Sequence, residues 1–495
     1  MKLLFRPREH FERSNDQRYD LLPFRFMRWA DGTVLLTNEA GEHQFLDSAS
    51  FERFHERRLT RELTAYKDLK AKHFLADGDR QLAVDLLATK VRTKRSFLSG
   101  GIKLHLFVVT LRCDHSCAYC QVSRVTEDRT PFDMTVETAG KAIELMFRSP
   151  APEMKVEFQG GEALLNFPLV RWCIERIETL NRTEKRRIEF VIATNLVPVT
   201  HDMLEFCRAH DVALSTSLDG PADVHNANRP RAGGDSHEQV MRNLERARAA
   251  LGADRVSALM TTTALTLRHP ERIVDEYVRQ GFRSIFLRSV SPFGFAVRGR
   301  QTLLTGTDEF LTFYRAALAH IIEINRSGTG LVEVFSQIVL QKILTPFATG
   351  YVDLQSPTGA ATSVVAYNYD GDVYASDEGR MLAEMRDFSF RLGNVHRDSY
   401  ADLLGGPVAQ ALVEASCLEA LPGCCDCAFL PFCGADPIFN WATQGDPIGH
   451  KPTSAFCTKQ MGVITHLFNL LKGSDAFTRR LLVSWASAVP IESAR

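Results

Sequence analysis

The chain has 495 residues, enough for two or three domains. Its composition, 45% hydrophobic and 24% charged, is that of an ordinary soluble globular protein. A formal net charge of -1 excludes a general attraction to nucleic acid or to an anionic membrane.

Residues 1–12 carry basic side chains around an apolar stretch too short for a signal peptide. No uninterrupted apolar run approaches the roughly eighteen residues that a membrane span needs. The expectation is a cytoplasmic protein without nucleic-acid or membrane partners. Eleven cysteines in so long a chain do not suggest a secreted disulfide scaffold, and seven of them fall into two clusters. In a reducing compartment, clustered cysteines point to metal.

Residues 1–98 read as one unit. Short strand-like runs at 24–27, 33–37 and 44–46 are separated by Asp31-Gly32 and by Asn38-Glu-Ala-Gly41, both good hairpin turns. Helical stretches follow at 48–57, 60–70 and 79–93, with Ser50 and Thr60 as expected N-caps. Lys94 opens a basic stretch that ends in Ser99-Gly100-Gly101 and reads as a linker. From 99 to 300 the pattern becomes strand, then helix, repeated. Strands are expected at 103–111, 155–159, 189–194, 212–218, 257–264 and 284–290, and helices at 135–148, 168–181, 202–210, 236–251 and 270–280. Six parallel strands with helical crossovers imply an α/β fold, a partial (β/α)6 barrel with its active site at the C-terminal strand ends. Residues 301–350 read as a helical bridge, with apolar residues at helical spacing over 310–325 and 331–344. Residues 351–495 form the last unit.

The chemistry starts directly after the first expected barrel strand, in Leu-Arg-Cys-Asp-His-Ser-Cys-Ala-Tyr-Cys-Gln at 111–121. Cys113, Cys117 and Cys120 place three thiolates on one short loop. Thiolates suit iron–sulfur clusters, and a cubane ligated by three cysteines keeps one iron open for another ligand. The alternative, zinc, usually pairs two Cys-x2-Cys halves, and no second half lies nearby. This Cys-x3-Cys-x2-Cys loop, with Tyr119 before its last cysteine, resembles the signature of radical S-adenosylmethionine (SAM) enzymes. The resemblance implies that the open iron of a [4Fe-4S] cluster chelates SAM. Reductive cleavage then yields a 5'-deoxyadenosyl radical that abstracts a substrate hydrogen.

Later motifs fall where the following strands end. Gly160-Gly161-Glu162 follows the second strand; paired glycines permit close backbone approach, and Glu162 can accept from an ammonium. It resembles the family's Gly-Gly-Glu motif for the SAM amine, with Ala163 in place of the usual Pro. Asn195 ends the third strand, and Ser217-Leu218-Asp219-Gly220-Pro221 ends the fourth. Asn195, Ser217 and Asp219 resemble positions that reach the ribose and methionyl parts of SAM. The run from Ser217 through His225 to Arg229 resembles sulfatase-maturing and peptide-maturing members. Arg229 is a candidate partner of the SAM carboxylate, with a surface ion pair as its alternative reading. Arg288 is a second candidate.

The other cysteines gather in Cys424-Cys-Asp-Cys427-Ala-Phe-Leu-Pro-Phe-Cys433, with Cys457 beyond. This resembles the SPASM domain, which normally holds two auxiliary clusters. Cys424, Cys427, Cys433 and Cys457 match the outer-cluster ligands, and Pro437 stands where an inner-cluster cysteine belongs. No cysteine lies between Cys207 and Cys417, so every inner-cluster ligand is missing. The resemblance implies one auxiliary [4Fe-4S] cluster in the outer position; a structural zinc site is the alternative. Cys417 and Cys425 read as spare thiols, and Cys173 and Cys207 as core residues. The empty inner position would leave room for Asp377 or Tyr374 to face substrate, with Asp377 the catalytic candidate.

Residues 1–98 resemble the winged-helix-like recognition domain of peptide maturases, in which a leader peptide adds a strand to a sheet edge. Leu22-Pro-Phe-Arg-Phe-Met-Arg28, Leu35-Leu-Thr-Asn-Glu-Ala-Gly41 and the segment from Asp370 to Arg380 narrow the likeness to the maturase of His-Xaa-Ser peptide systems. That implies a ribosomally made precursor peptide as substrate, a side-chain crosslink as product, and a reductant such as flavodoxin or ferredoxin. Two other readings stay open. One is a maturase that oxidises Ser or Cys to a formylglycine-type aldehyde; the other is a non-catalytic iron–sulfur peptide-binding or electron-transfer protein.

Overall fold

The computed structural model describes residues 19–298 and 306–492. The expected reading of residues 1–12, the rest of the expected N-terminal unit up to residue 18, and residues 301–305 of the expected bridge lie outside the described residues.

Strands Arg25–Arg28, Val34–Thr37 and His43–Leu46 form an antiparallel meander in that order. Gly32 (φ +82°) and Gly41 (φ +79°) supply the left-handed backbone that the two turns require. Val34–Thr37 is buried on both faces, which explains why it reads as an unbroken apolar run. Val34 and Leu36 pack with Phe51, Phe54 and Leu69 of the helices that follow. Leu35 points the other way, into the main core, with Met27, Trp29 and Phe45 beside it. The helices are Ser48–His55, Thr64–Ala71 and Arg80–Lys94. Neither expected N-cap caps: Asp47 accepts from the Ser50 amide at 2.8 Å, and Leu63 precedes the second helix with no side-chain cap. Asp47 comes earlier in the chain and its carboxylate reaches the same amide, so Ser50 falls inside the helix.

Five strands, Leu104–Thr110, Glu153–Gly160, Arg187–Ala193, Val212–Ser217 and Val256–Leu259, pair in parallel in chain order. Helices Val136–Met146, Phe167–Glu184, His201–Ala209, Ser236–Leu251 and Pro270–Arg279 alternate with them. Side-chain alternation divides the strands cleanly. Val156, Phe158, Phe190, Ile192 and Leu214 pack in the main core, whereas Lys155, Glu157, Gln159 and Glu189 line the barrel lumen.

The expected sixth strand is cut short. Ser284–Ile285 pairs in parallel with Val332–Glu333, and among the described residues only a Thr262–Ser289 bridge links this segment to the chain beyond the fifth strand. The cause is Glu333, whose buried carboxylate accepts from the Leu287 amide at 3.1 Å and from the Phe335 and Ser336 amides. A side chain therefore takes a donor that a longer ladder would use. The expected bridge thus contains this short strand as well as helices Thr307–Arg326 and Val334–Leu344.

At the other edge, Val364–Tyr367 pairs in parallel with the first barrel strand, and Asp372–Tyr374 and Arg391–Asn394 continue antiparallel from it. The result is one eight-stranded, mostly parallel sheet in a mixed α/β fold. Among the described residues, no helix is long and apolar enough to cross a membrane.

Candidate functional site

The first barrel strand delivers the cysteine loop to the C-terminal edge of the sheet, and backbone bonds from three sides fix it there. The Cys113 amide donates to Val125 O (3.1 Å), the Ser116 amide to Pro230 O (2.7 Å), and the Phe295 amide to Cys120 O (2.7 Å). Arg112 anchors its base with a two-pronged contact to Asp133, 2.8 Å for each pair of atoms, plus a bond to Leu165 O. Burial pushes the Cys113 and Cys117 thiols up, Cys117 to about 12; Cys117 raises Cys113, and Cys120 raises Cys117 further. The three sulfurs thus sense one another in a partly dry setting, where thiolates persist only beside a compensating cation. That donor set fits cluster iron.

Gly160 and Gly161 act on this loop. A Cβ on Gly160 would meet Thr110 O at 1.8 Å, and one on Gly161 would meet the Arg112 and Leu111 oxygens at 2.4 and 2.5 Å. The paired glycines bring the turn's backbone directly against that of the cysteine-loop strand. Glu162 is 1% exposed. One oxygen accepts from the Leu164 amide (3.0 Å) and Thr194 Oγ1 (2.7 Å), the other from the Asn195 amide (2.6 Å). Burial outweighs these bonds and raises its pKa to about 7.

Asn195 Nδ2 donates to Asp114 Oδ1 at 2.6 Å and lies 3.0 Å from His115 Nδ1, tying the third strand's end to the cysteine loop. His115 Nε2 is 2.8 Å from Ser236 Oγ. Asp114 and His115 stand in the sequence between the first two cysteines, so the polar contacts of this loop run through residues of the motif itself. Ser217 sits half-exposed at the end of the fourth strand. Asp219 is fully buried: Tyr119 Oη donates to it at 2.6 Å, Arg229 Nε at 3.1 Å and the Thr261 amide at 3.1 Å. The Arg229 guanidinium lies 5.3 Å from the Tyr119 ring centroid. Arg229 is thus in a buried pair rather than a surface one. Asp219, expected to reach SAM, accepts from both Tyr119 and Arg229 on Oδ2 and from the Thr261 amide on Oδ1.

The lumen is a chamber of about 1070 Å³. Its lining runs from Glu153 and Arg187 at the strand starts to Gln159 and Leu259 at their ends, and includes Arg288 and Asp377. Gln159 Nε2 is buried there without a partner, one residue before Gly160, as suits a polar ligand. Asp377 reaches the chamber while paired to Arg380 at 2.6 Å, and Arg380 also donates to Val122 O beyond the cysteine loop. Tyr374, the other residue expected to face substrate, is 1% exposed and packs with Leu106, Val364 and Ala366.

In the C-terminal region, the Cys427 amide donates to Cys424 O (3.0 Å), and the Phe429 amide points at Cys427 Sγ (3.4 Å). Cys457 starts helix Ala455–Gly473, its amide bonded to Ser454 Oγ. Burial raises Cys424 to about 11 and Cys433 to about 12, and Cys427 and Cys457 raise both further. The four sulfurs therefore form one group. Four thiol donors suit cluster iron. Cys417 and Cys425 face Glu419 and Asp426, each at 3.5 Å, and Cys173 and Cys207 are buried in the main core.

A sequence model of the Radical SAM superfamily matches residues 107–277. The radical SAM cyclopropyl synthase TigE of Paramaledivibacter caminithermalis is 28% identical over 171 residues, 32% of this chain and 35% of that protein. An uncharacterized protein of Methanocaldococcus jannaschii is 28% identical over 138 residues, 27% of this chain and 44% of that one. The chain thus spans less than half the length of either relative. Among solved structures, native anSMEcpe with bound AdoMet has a TM-score of 0.62 at 16% identity, covering 78% of this chain and 99% of that one. Streptococcus suis SuiB bound to precursor peptide SuiA has a TM-score of 0.52 at 11% identity, covering 90% and 100%. Both show the same fold.

Proposed function

We propose that this chain, which carries a radical SAM domain over residues 107–277, is an enzyme that modifies a ribosomally made precursor peptide by hydrogen abstraction, forming a side-chain crosslink. The observation that carries the reading is the packing of the three-thiol loop's backbone on Gly160 and Gly161, next in the chain to Gln159, which lines the chamber of about 1070 Å³. The radical SAM domain implies a [4Fe-4S] cluster and SAM, which supply a 5'-deoxyadenosyl radical when bound. Cys113, Cys117 and Cys120 would hold the cluster, and Glu162, Asn195, Ser217 and Arg229 would surround SAM. Tyr119 and Asp219 would brace Arg229. Asp377, at the chamber wall, would act on the peptide, its charge steadied by Arg380. Cys424, Cys427, Cys433 and Cys457 would hold the one auxiliary cluster and accept the electron released on ring closure. A reductant such as flavodoxin or ferredoxin would supply the first electron.

Residues 1–98 would hold the leader, residues 99–300 the radical chemistry, and residues 351–495 the auxiliary cluster, with 301–350 between them. The likeness of TigE and SuiB, a cyclopropyl synthase and a protein bound to its precursor peptide, supports a peptide substrate. The test is to co-express the chain with short reading frames neighbouring its gene and weigh the peptides. A crosslink gives a peptide two hydrogens lighter that does not react with hydrazides. A hydrazide-reactive product would instead establish formylglycine-type oxidation, and SAM cleavage with every peptide unchanged would remove the peptide assignment.

A further inference from the structure

The face of the N-terminal meander that carries Met27, Trp29, Leu35 and Phe45 does not rest on its own helices; it joins the lobe bearing the C-terminal cysteines. Thr37 Oγ1 donates to Ala428 O at 2.7 Å, and Trp29 meets Phe429 edge to face at 6.2 Å. Alternation along Arg25–Arg28 turns Phe26 and Arg28 toward Phe51 on the opposite face, and so turns Arg25 toward the cysteines. Arg25 Nε donates to Cys425 O, and Arg25 Nη2 pairs with Glu39 at 2.9 Å. The third nitrogen, Nη1, is buried with no partner. The side chain is only 11% exposed, and among the described residues this charged donor has no protein acceptor. A guanidinium presents five N–H groups in a fixed fork, and leaving one unused in a dry site costs free energy unless something absent from the polypeptide accepts it.

Arg25 is the cation whose field falls on Cys427, and it holds the backbone at Cys425, in the turn that precedes that thiol. Lys342 donates to Cys433 O at 2.5 Å from the far side, and Lys451 acts on Cys424 and Cys457. A four-thiolate cubane is anionic in both redox states and more so when reduced, so each nearby cation and each N–H group directed at sulfur favours the reduced form.

We propose that Arg25 is a positioning residue of the C-terminal centre, steadying the Cys424–Cys427 turn and raising the reduction potential of a cluster bound there. This rests on the reading of that centre as iron–sulfur. It makes the N-terminal sheet an electrostatic part of the electron-accepting site. Arg25–Arg28 is also an edge strand of the meander, bonded to Val34–Thr37 on one side. An added peptide strand would therefore pair with the strand that carries the charge facing the cluster.

The experiment is a potentiometric titration, followed by electron paramagnetic resonance, of the full chain with Cys113, Cys117 and Cys120 all changed to Ala, so that only the C-terminal centre can hold iron. Adding Arg25→Gln should lower the midpoint by at least a tenfold change in the reduction equilibrium, about 59 mV for one electron, and Arg25→Lys should restore part of it. Glu39→Gln, at a half-exposed position that folding tolerates, should move the midpoint upward by leaving the guanidinium charge uncompensated. If iron is loaded and neither variant moves the midpoint, the role of Arg25 is overturned. If the background chain holds no iron, the iron–sulfur reading itself has failed, a result distinct from an unchanged potential.

Discussion

Glu162 shows how one side chain combines legible identity with hidden circumstance. Its place after two glycines is plain in the sequence, but its burial and its three donors depend on strands far away in the chain. Because burial raises it to about 7, its neutral form is favoured in the folded state. The linkage sign follows: relative to a neutral isostere, its contribution is fully present below the unfolded value near 4.5 and is lost as pH rises toward 7. The stability of wild type relative to Glu162→Gln should therefore fall by about 3 kcal/mol between pH 4.5 and 7.5, read by urea unfolding of the metal-free chain. A difference that stays constant with pH would contradict this. Gly161→Ala makes a second test, since its Cβ meets two carbonyl oxygens of the cysteine-loop strand, and backbone cannot yield as a flexible side chain can. Iron loading at the first cysteine site should drop severalfold while the C-terminal site keeps its iron. Residue types at Cys113, Cys117, Cys120, Glu162 and Asn195 were legible because chemistry selects them. The commitment of Asp219 to Tyr119 and Arg229 was not, because a carboxylate reads the same whether it binds a ligand or braces a neighbour.

At the scale of elements, the alternation that splits Val34–Thr37 between two cores makes Leu35 the joint between the meander and the rest of the chain. Leu35→Ala should cost about 2–5 kcal/mol, measured by denaturant unfolding, with little change in helix content of the folded protein. Helix Asp377–Glu384 has a comparable anchor, since Arg380 is fully buried and binds both Asp377 and Val122 O. Arg380→Met should destabilise by about 3–5 kcal/mol by stranding Asp377 and releasing the segment after the cysteine loop. Periodicity located the barrel helices and four of the five strands within a few residues; the fifth, expected to reach residue 264, ends at Leu259. It failed where long-range bonds decide. The sixth strand lost a backbone donor to Glu333, a competition no local pattern records. Helix Ala222–Asn228 was passed over because it is one short segment behind Pro221 in a run rich in turn formers. Val364–Tyr367 was legible as apolar, but its parallel partner lies about 260 residues earlier, so its place in the barrel sheet was not.

For the whole molecule, the two cysteine groups, the chamber and the N-terminal meander form one continuous structure, held by a core shared across all parts. Electrons, SAM and peptide would therefore meet within one packed structure. Two cubanes predict about eight irons per chain after anaerobic reconstitution, falling to about four when Cys113, Cys117 and Cys120 are all changed to Ala. Retained zinc with no residual iron in that variant would make the C-terminal site structural. The most direct test of the central claim is SAM consumption by the reconstituted chain under dithionite. Wild type and Cys427→Ala should both release 5'-deoxyadenosine, whereas Cys117→Ala should release none; SAM left intact by a fully iron-loaded wild type would contradict the assignment.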